Sequence, residues 1–451
     1  MLTIRDATLA DGSRRDVRID TDAGRIAAVG SSLTESGDVV DAAGNLLLPG
    51  AIDAHVHFRQ PGFPHKETWE TGSASAAAGG VTTVVDQPNT DPPTVDGPAF
   101  DEKADLADAS LVDYGINGGV TADWNPDELF DRPVLALGEV FLADSTGEMG
   151  IDEDLFREAL ERASDEYVVV TVHAEDADLF DESVLPRGTN ANGEAASAEE
   201  RDDADAWSAY RTADAEIAAV ERALDLADDT GARVHVAHTS TPEAVDAAAA
   251  AGATCEVTPH HMFLSRDELS ELGTHGRMNP PLRSEERRED VFARVANGTV
   301  DVVATDHAPH TREEKDAGIW DAPSGVPGVE TMLTLLLEQA RKGNLSYDRV
   351  ADLTARNPSE IFGLPRKGRI EEGRMADLVL VDPDATREIR GEDLHSKCGW
   401  TPFEGWTGVF PRLTMVRGSV VYEAHDASLT PDGVGPADGE FGDAVGENVR
   451  E

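Results

Sequence analysis

The chain has 451 residues, 40% of them hydrophobic, with 88 acidic and 38 basic side chains for a formal net charge of −50 at pH 7. That charge excludes a basic face for phosphate backbones and attraction to an anionic membrane, so neither nucleic acid nor a membrane is expected as a partner. The surplus carboxylates run through every segment and only six lysines occur (Lys66, Lys103, Lys315, Lys342, Lys367, Lys397), a composition suited to molar salt, where the Debye length falls to about 3 Å and self-repulsion is screened.

Taken in chain order, the first fifty residues read as short strands: LTIRDATL, DVRI, GRIAAVG and VVDAAGNLLLPG, with the Gly, Asp and Asn punctuation of small hairpins. This start has no apolar core of signal-peptide length. The middle then alternates strands and helices. Apolar runs begin at Ala51 (AIDAHVHF), Val81 (VTTVVDQ), Leu111 (LVDYGING), Val134 (VLALGEVFL), Tyr167 (YVVVTVHA), Arg233 (RVHVAHTS), Ala253 (ATCEVTPHH) and Asp301 (DVVATDHAPH). Helical stretches such as IDEDLFREALERA and AEIAAVERALDLADD lie between them with 3.6-residue apolar spacing. Eight such units predict an α/β fold built as a (β/α)8 barrel. The connection over residues 176–211 is long and polar and reads as an excursion over one face. Strand texture returns at KGRIEEGRMADLVLVD and TMVRGSVVYE, which suggests that the two chain ends pack together. The expected organisation is therefore 1–50 and 366–423 as two parts of a composite β-sandwich, 51–365 as the barrel, and 424–451 as an acidic flexible tail. Two distant cysteines, Cys255 and Cys398, exclude a disulfide framework, and no apolar run reaches about 18 residues, so a cytoplasmic protein is expected.

Polar residues collect at the ends of the predicted strands. Nine of the 13 histidines lie there: His55, His57, His173, His235, His238, His260, His261, His307 and His310. Barrel active sites form at the carboxyl ends of the strands. His-x-His on a strand puts both imidazoles on one face, because side chains alternate with period two. His55, His57, His173 and His238 with Glu139 and Asp306 supply four imidazoles and two carboxylates, enough for one open catalytic metal site or for two metals sharing a bridge. Asp53 reads as a residue that orients the first barrel strand. His235, His260, His261 and His307 read as supporting residues, and His65, His275, His395 and His425 as surface or packing residues.

The segments GAIDAHVHFRQPG, DQPNT, HVAHTS, TPHHMFL, NPPLR and DHAPHTREEK resemble the cyclic amidohydrolases, most of all their dihydroorotase branch, over about residues 1–423. The resemblance implies zinc-dependent, reversible hydrolysis of the cyclic amide of dihydroorotate to N-carbamoyl-aspartate. It places first-site metal ligands on His55, His57 and Asp306 and second-site ligands on His173 and His238, with one or two zinc ions per subunit. Asp306 is also implied as the catalytic proton carrier. Substrate contacts fall on His57, Arg59, Asn89 and His310, with Asn279, Pro323 and Gly325 from the NPPLR and APSGVPGVE segments. Arg59 suits a substrate carboxylate because its planar fork pairs with it bidentately. The only partner implied is the small-molecule substrate, in a possible homodimer.

The chain departs from the family pattern at one position. Many relatives carry a carboxylated lysine in the fourth barrel strand that bridges two metals. Here Glu139 occupies the matching point of LALGEVFL, and no lysine lies between Lys103 and Lys315. Glu139 is the expected bridge, with Asp144 as the alternative. Other readings are an allantoinase or hydantoinase, which would not need Arg59, and an inactive homologue serving aspartate transcarbamoylase, which would be expected to have lost ligands.

Overall fold

The computed structural model describes residues 1–34, 37–142, 149–186, 203–424 and 439–450. The N-terminal strands are β1 (Leu2–Leu9), β2 (Arg14–Asp20), β3 (Arg25–Gly30), β4 (Asp38–Asp41) and β5 (Leu46–Pro49). The middle of the chain contributes β6 (Ala51–Val56), β7 (Val81–Asp86), β8 (Asp113–Ile116), β9 (Ala136–Leu142) and the short β10 (Gly150–Ile151). It continues with β11 (Val169–Ala174), β12 (Arg233–Val236), β13 (Thr254–Val257) and β14 (Val302–Val303). The last strands are β15 (Leu378–Glu388), β16 (Thr407–Val416), β17 (Ser419–Ala424) and β18 (Gly439–Phe441).

The expected barrel is present. β6, β7 and β8 pair in parallel, and β9, β11, β12, β13 and β14 follow in parallel order. Parallel bridges Gly118↔Leu137 and Val56↔His307 join the two groups and close the ring. Every residue of β6, β7 and β11 is buried, as strands covered on both faces require, which is why they read as unbroken apolar runs. Between them lie amphipathic helices. Helix Glu153–Asp165 buries Phe156, Ala159, Leu160 and Ala163, an i, i+3, i+4, i+7 stripe, and is capped by Asp152 accepting from the Leu155 amide. Helix Ala213–Thr230 starts on a Thr212 cap and ends at Gly231 in the left-handed region. No helix among the described residues is long and apolar enough to cross a membrane.

The two chain ends form one sheet in the order β18-β17-β16-β15-β5-β1-β2-β3, with β4 on β1. Its seam is the antiparallel pairing of β5 with β15, Leu47 opposite Leu380. Ile4, Val17, Ile19, Ile26, Leu47, Leu378, Leu380 and Met415 make its own core, so the sheet folds over a second hydrophobic centre, as the sandwich expectation required.

The flexible tail expected over 424–451 needs correction for residues 439–450. β18 pairs antiparallel with β17, Phe441 opposite Tyr422. Beyond it the Gly446 amide donates to the Ser110 carbonyl at 2.9 Å, the Tyr114 amide to Glu447 at 3.0 Å, and the Val449 amide to Tyr114 at 2.9 Å. Composition cannot report such backbone pairing: a polar segment with one anchoring aromatic is ordered by a neighbouring strand that still has amides and carbonyls to satisfy. Residues 425–438, including His425, lie outside the described residues.

Candidate metal centre

Five of the six residues expected at the centre lie at or just beyond the carboxyl ends of barrel strands, and Glu139 lies midway along one. His55 lies in β6 and His57 just after it, Glu139 in β9, His173 in β11, and His238 and Asp306 just beyond β12 and β14. All six are buried. Arg59, His238 and Asp306 have positive φ angles of 63°, 30° and 46°, conformations that a non-glycine residue keeps only where the surroundings hold it.

The side chains converge in two groups. His57 Nε2 lies 2.9 Å from Asp306 Oδ1, and His55 Nε2 lies 3.5 Å from the same oxygen. Glu139 Oε1 lies 2.8 Å from His173 Nδ1 and 2.6 Å from His238 Nε2. The other Glu139 oxygen turns toward the first group, with Oε2 3.6 Å from His55 Nε2. Glu139 thus offers one oxygen to each group. Burial opposes its ionisation, but the bonds from His173 and His238 outweigh this and hold its carboxyl well below the usual range.

The donor set suits a divalent ion of the zinc type. The ligand-type atoms of His55, His57 and Asp306 lie within 4.8 Å of one another, as do those of His55, Glu139 and His238. His55 Nε2 and His238 Nδ1 are buried without a hydrogen-bond partner among the described residues, and buried polar atoms are rarely left so. Imidazole nitrogens with carboxylate oxygens are the ligands of an open zinc site. Asp144 lies outside the described residues.

The rings are held from behind, and three of the residues that do so, Glu256, Glu175 and Arg211, were not singled out by the strand pattern. His55 Nδ1 donates to Glu256 Oε1 at 2.7 Å, which leaves Nε2 to face the cluster. His235 reaches the other Glu256 oxygen at 3.2 Å. Burial opposes ionisation of Glu256, yet the neighbouring His55 and the bonds from both rings hold its carboxyl well below the usual range. His173 Nε2 donates to Glu175 at 3.1 Å, and Arg211 pairs with that carboxylate. His57 Nδ1 donates to Asn89 Oδ1 at 2.7 Å. The signal for Glu256 was available, since a carboxylate at the end of a buried parallel strand (TCEV) needs a partner inside the barrel. Asp53 accepts from the Thr305 amide and hydroxyl at 3.0 and 2.6 Å, tying β6 to the segment that carries Asp306. His261 spans Thr258 and the Pro280 carbonyl, and His307 Nδ1 accepts from the Gly328 amide at 3.1 Å, so both serve the framework.

A cavity opens over the cluster. His57, Arg59, Asn89, Glu139, Phe141, His173, Asn279, Asp306, Ala308, Ser324 and Gly325 line it. Arg59, Asn89, Asn279 and Gly325 are therefore among its walls, joined by Phe141, Ala308 and Ser324. Gly325 has φ +129°, and a Cβ there would meet the Ala308 carbonyl at 2.6 Å, so only glycine fits. His310 and Pro323 are not in the lining. His310 stands behind the wall, 3.1 Å from Arg59 and 3.0 Å from the Ser324 carbonyl. Pro323 contributes its carbonyl to the buried ammonium of Lys315 at 2.9 Å. Sequence position showed only that these residues follow the last barrel strand, not which of them faces the cavity.

An eight-stranded parallel barrel, a sandwich of the chain ends, and an imidazole–carboxylate cluster at the strand ends define the metal-dependent amidohydrolase class. The amidohydrolase family model matches residues 46–421, and the chain belongs to that family. A dihydroorotase of Halobacterium salinarum is 65% identical over 429 residues, 95% of this chain and 98% of that protein. An allantoinase of Salmonella paratyphi B is 34% identical over 451 residues, 96% of this chain and 97% of that protein. Among solved structures, an L-hydantoinase (dihydropyrimidinase) from Arthrobacter aurescens superposes with a TM-score of 0.87 at 27% identity, covering 99% of both chains.

Proposed function

We propose that the chain is a dihydroorotase, opening dihydroorotate to N-carbamoyl-aspartate and closing it in the reverse direction. The observation that carries this reading is Arg59 lining the same cavity as the imidazole–carboxylate cluster: a carboxylate-binding cation stands beside a hydrolytic centre. The 65% identical dihydroorotase supports it. Allantoin and hydantoin carry no carboxylate for that arginine.

His55, His57 and Asp306 would hold one zinc ion, His173 and His238 a second, and Glu139 would bridge the two. When bound, such an ion supplies Lewis-acid polarisation of the amide carbonyl and lowers the pKa of water to about 7. The residues of the chain do the rest. Arg59 pairs with the substrate carboxylate, assisted by the Asn89 amide nitrogen, whose oxygen partner is already engaged by His57. Asn279 and Ser324, 3.2 Å apart, border the ring from the opposite loop. Asp306 Oδ1 faces the cavity beside His57 Nε2. It takes a proton from the attacking water and delivers it to the leaving ring nitrogen, the two jobs of one general acid–base. Phe141 and Ala308 narrow the cavity against bulk water. The protein is proposed to work in the cytoplasm, as a homodimer.

The test is interconversion of dihydroorotate and N-carbamoyl-aspartate in molar KCl with zinc, with allantoin and hydantoin as parallel substrates. Turnover of allantoin or hydantoin without dihydroorotate would sink the reading.

A further inference from the structure

The chain keeps six lysines, and only two of them, Lys342 and Lys397, stand on the surface. Lys103 is buried on Asp86 and the Gln87 carbonyl, and Lys367 on Asp113 and Asp377. Lys315 donates to the carbonyls of Arg277, Pro323 and Gly325. Lys66 is the remaining one. Its side chain is 15% exposed, and its ammonium lies 3.1 Å from His310 Nδ1 and 3.2 Å from Glu314 Oε1. In a chain that has nearly emptied its surface of lysine, this placement asks for a reason beyond solubility.

The geometry at His310 supplies one. Its Nδ1 faces the Lys66 ammonium. Its Nε2 faces two groups at once, the Ser324 carbonyl at 3.0 Å and the Arg59 terminal nitrogen at 3.1 Å. Burial, and then the nearby charges of Arg59, Lys66 and Lys315, push its pKa far down, so the ring is neutral and carries one proton. An ammonium can only donate, so Nδ1 accepts from Lys66 and the proton sits on Nε2. That N–H then donates to the Ser324 carbonyl and cannot accept from Arg59. With Lys66 gone, the other tautomer becomes available. Its bare Nε2 would accept from the Arg59 guanidinium and hold it against the loop. Glu314 does not compete for the ring, because Oε2 is 3.8 Å from Nδ1 and already accepts from the Thr311 amide at 3.0 Å. Arg59 Nε is fixed on the Pro309 carbonyl at 3.2 Å, so the fork itself is what the tautomer controls.

We propose that Lys66 is a positioning residue for substrate capture: by donating to His310 Nδ1 it fixes the Nε2–H tautomer on Ser324 and keeps the Arg59 fork available to a carboxylated substrate. This rests on the dihydroorotase reading for the identity of the carboxylate, but the tautomer does not. Lys66 does not line the cavity and acts through His310 and Arg59.

Two measurements test it on the full-length protein in molar KCl. The first is 15N NMR of histidine-labelled protein, with His310 assigned by difference from His310→Gln. Wild type is expected to show His310 protonated on Nε2 and bare at Nδ1, and Lys66→Met to lose that single form. The second is steady-state kinetics with dihydroorotate. Lys66→Met is expected to raise KM on the order of tenfold or more with kcat changed by less than about threefold, with unchanged zinc content. Lys66→Arg, which still donates, is expected to recover most of the loss. A wild-type His310 protonated on Nδ1 overturns the proposal, and this holds even if Lys66→Met fails to fold. So does an unchanged KM, a fall confined to kcat, or a raised KM with the tautomer intact, which would make Lys66 a distant charge only. A wild type inactive on dihydroorotate would sink the substrate assignment and leave the tautomer result standing.

Discussion

In the proposed centre, Glu139 is the residue that would join the two ligand groups. A carboxylate stem is shorter than a carboxylated lysine, yet its two oxygens already face the two ligand groups. Replacing one oxygen by an amide removes the charge and half the bridge. Glu139→Gln is therefore expected to lower bound zinc from about two ions to about one per chain and activity by on the order of 100-fold or more. Elemental analysis after dialysis, alongside the dihydroorotate assay, checks both; full metal content with full activity would remove Glu139 from the centre. Glu256 acts one step further back. It fixes which nitrogen of His55 meets the cluster. Glu256→Gln is expected to weaken zinc affinity by about 10–100-fold while the fold persists. Competition with a chelator measures this directly, without any assay of turnover.

At the scale of elements, the C-terminal segment stands out. β18 extends the sandwich, and residues 446–449 pair with the start of β8, on the face of the barrel away from the metal cluster. That face serves stability, and the opposite one chemistry. Removing residues 439–451 is expected to cost about 2–4 kcal/mol through lost backbone bonds and the packing of Phe441, read by urea denaturation in molar KCl. Zinc content is expected to stay as in the full chain. The same junction carries a pH dependence. His395 packs on Phe441 at 4.9 Å between ring centres and bonds Glu330 at 2.9 Å. Burial alone would lower its pKa, but the Glu330 carboxylate outweighs this and raises it. A raised folded-state value means that the pair's stabilisation is fully present below the unfolded pKa, about 6.5, and is lost as pH rises through the folded value. Wild type is expected to exceed His395→Gln by about 1 kcal/mol at pH 6 and to lose that margin in alkaline buffer. A margin that grows with pH would reverse the assignment.

For the molecule as a whole, the charge of −50 describes solvent and not ligand. Dihydroorotate is an anion, which a uniformly acidic protein would repel. Arg59 and Lys66 set a local positive region against the acidic shell. Lys103 and Lys367 are buried on carboxylates and Lys315 on backbone carbonyls, while most ion pairs with an exposed carboxylate use arginine, as at Arg132–Asp101 and Arg294–Asp246. Carboxylates left unpaired on the surface repel one another over a Debye length of about 10 Å at 0.1 M salt and about 3 Å at 1 M. Thermal unfolding is therefore expected at least roughly 10 °C lower in 0.1 M than in 2 M KCl. Equal midpoints in the two salts would contradict the salt-adapted reading.

The amino-acid sequence by itself determined the barrel, because parallel strands buried on both faces leave unbroken apolar runs, and it picked out the imidazoles and carboxylates that the fold gathers, because those strands end in His-x-His, His, His and Asp at the one rim where barrel sites form. It also singled out Glu139 and Arg59, both of which line the cavity. Only the tertiary structure decided which residues stand behind these. Glu256 and Lys66 reach His55 and His310 across separations of 201 and 244 residues, and no local pattern encodes a pairing of that range. The docking of residues 439–450 escaped the sequence for a related reason: backbone hydrogen bonds are blind to side-chain composition, so an acidic segment reads as unstructured until a neighbouring strand supplies its partners.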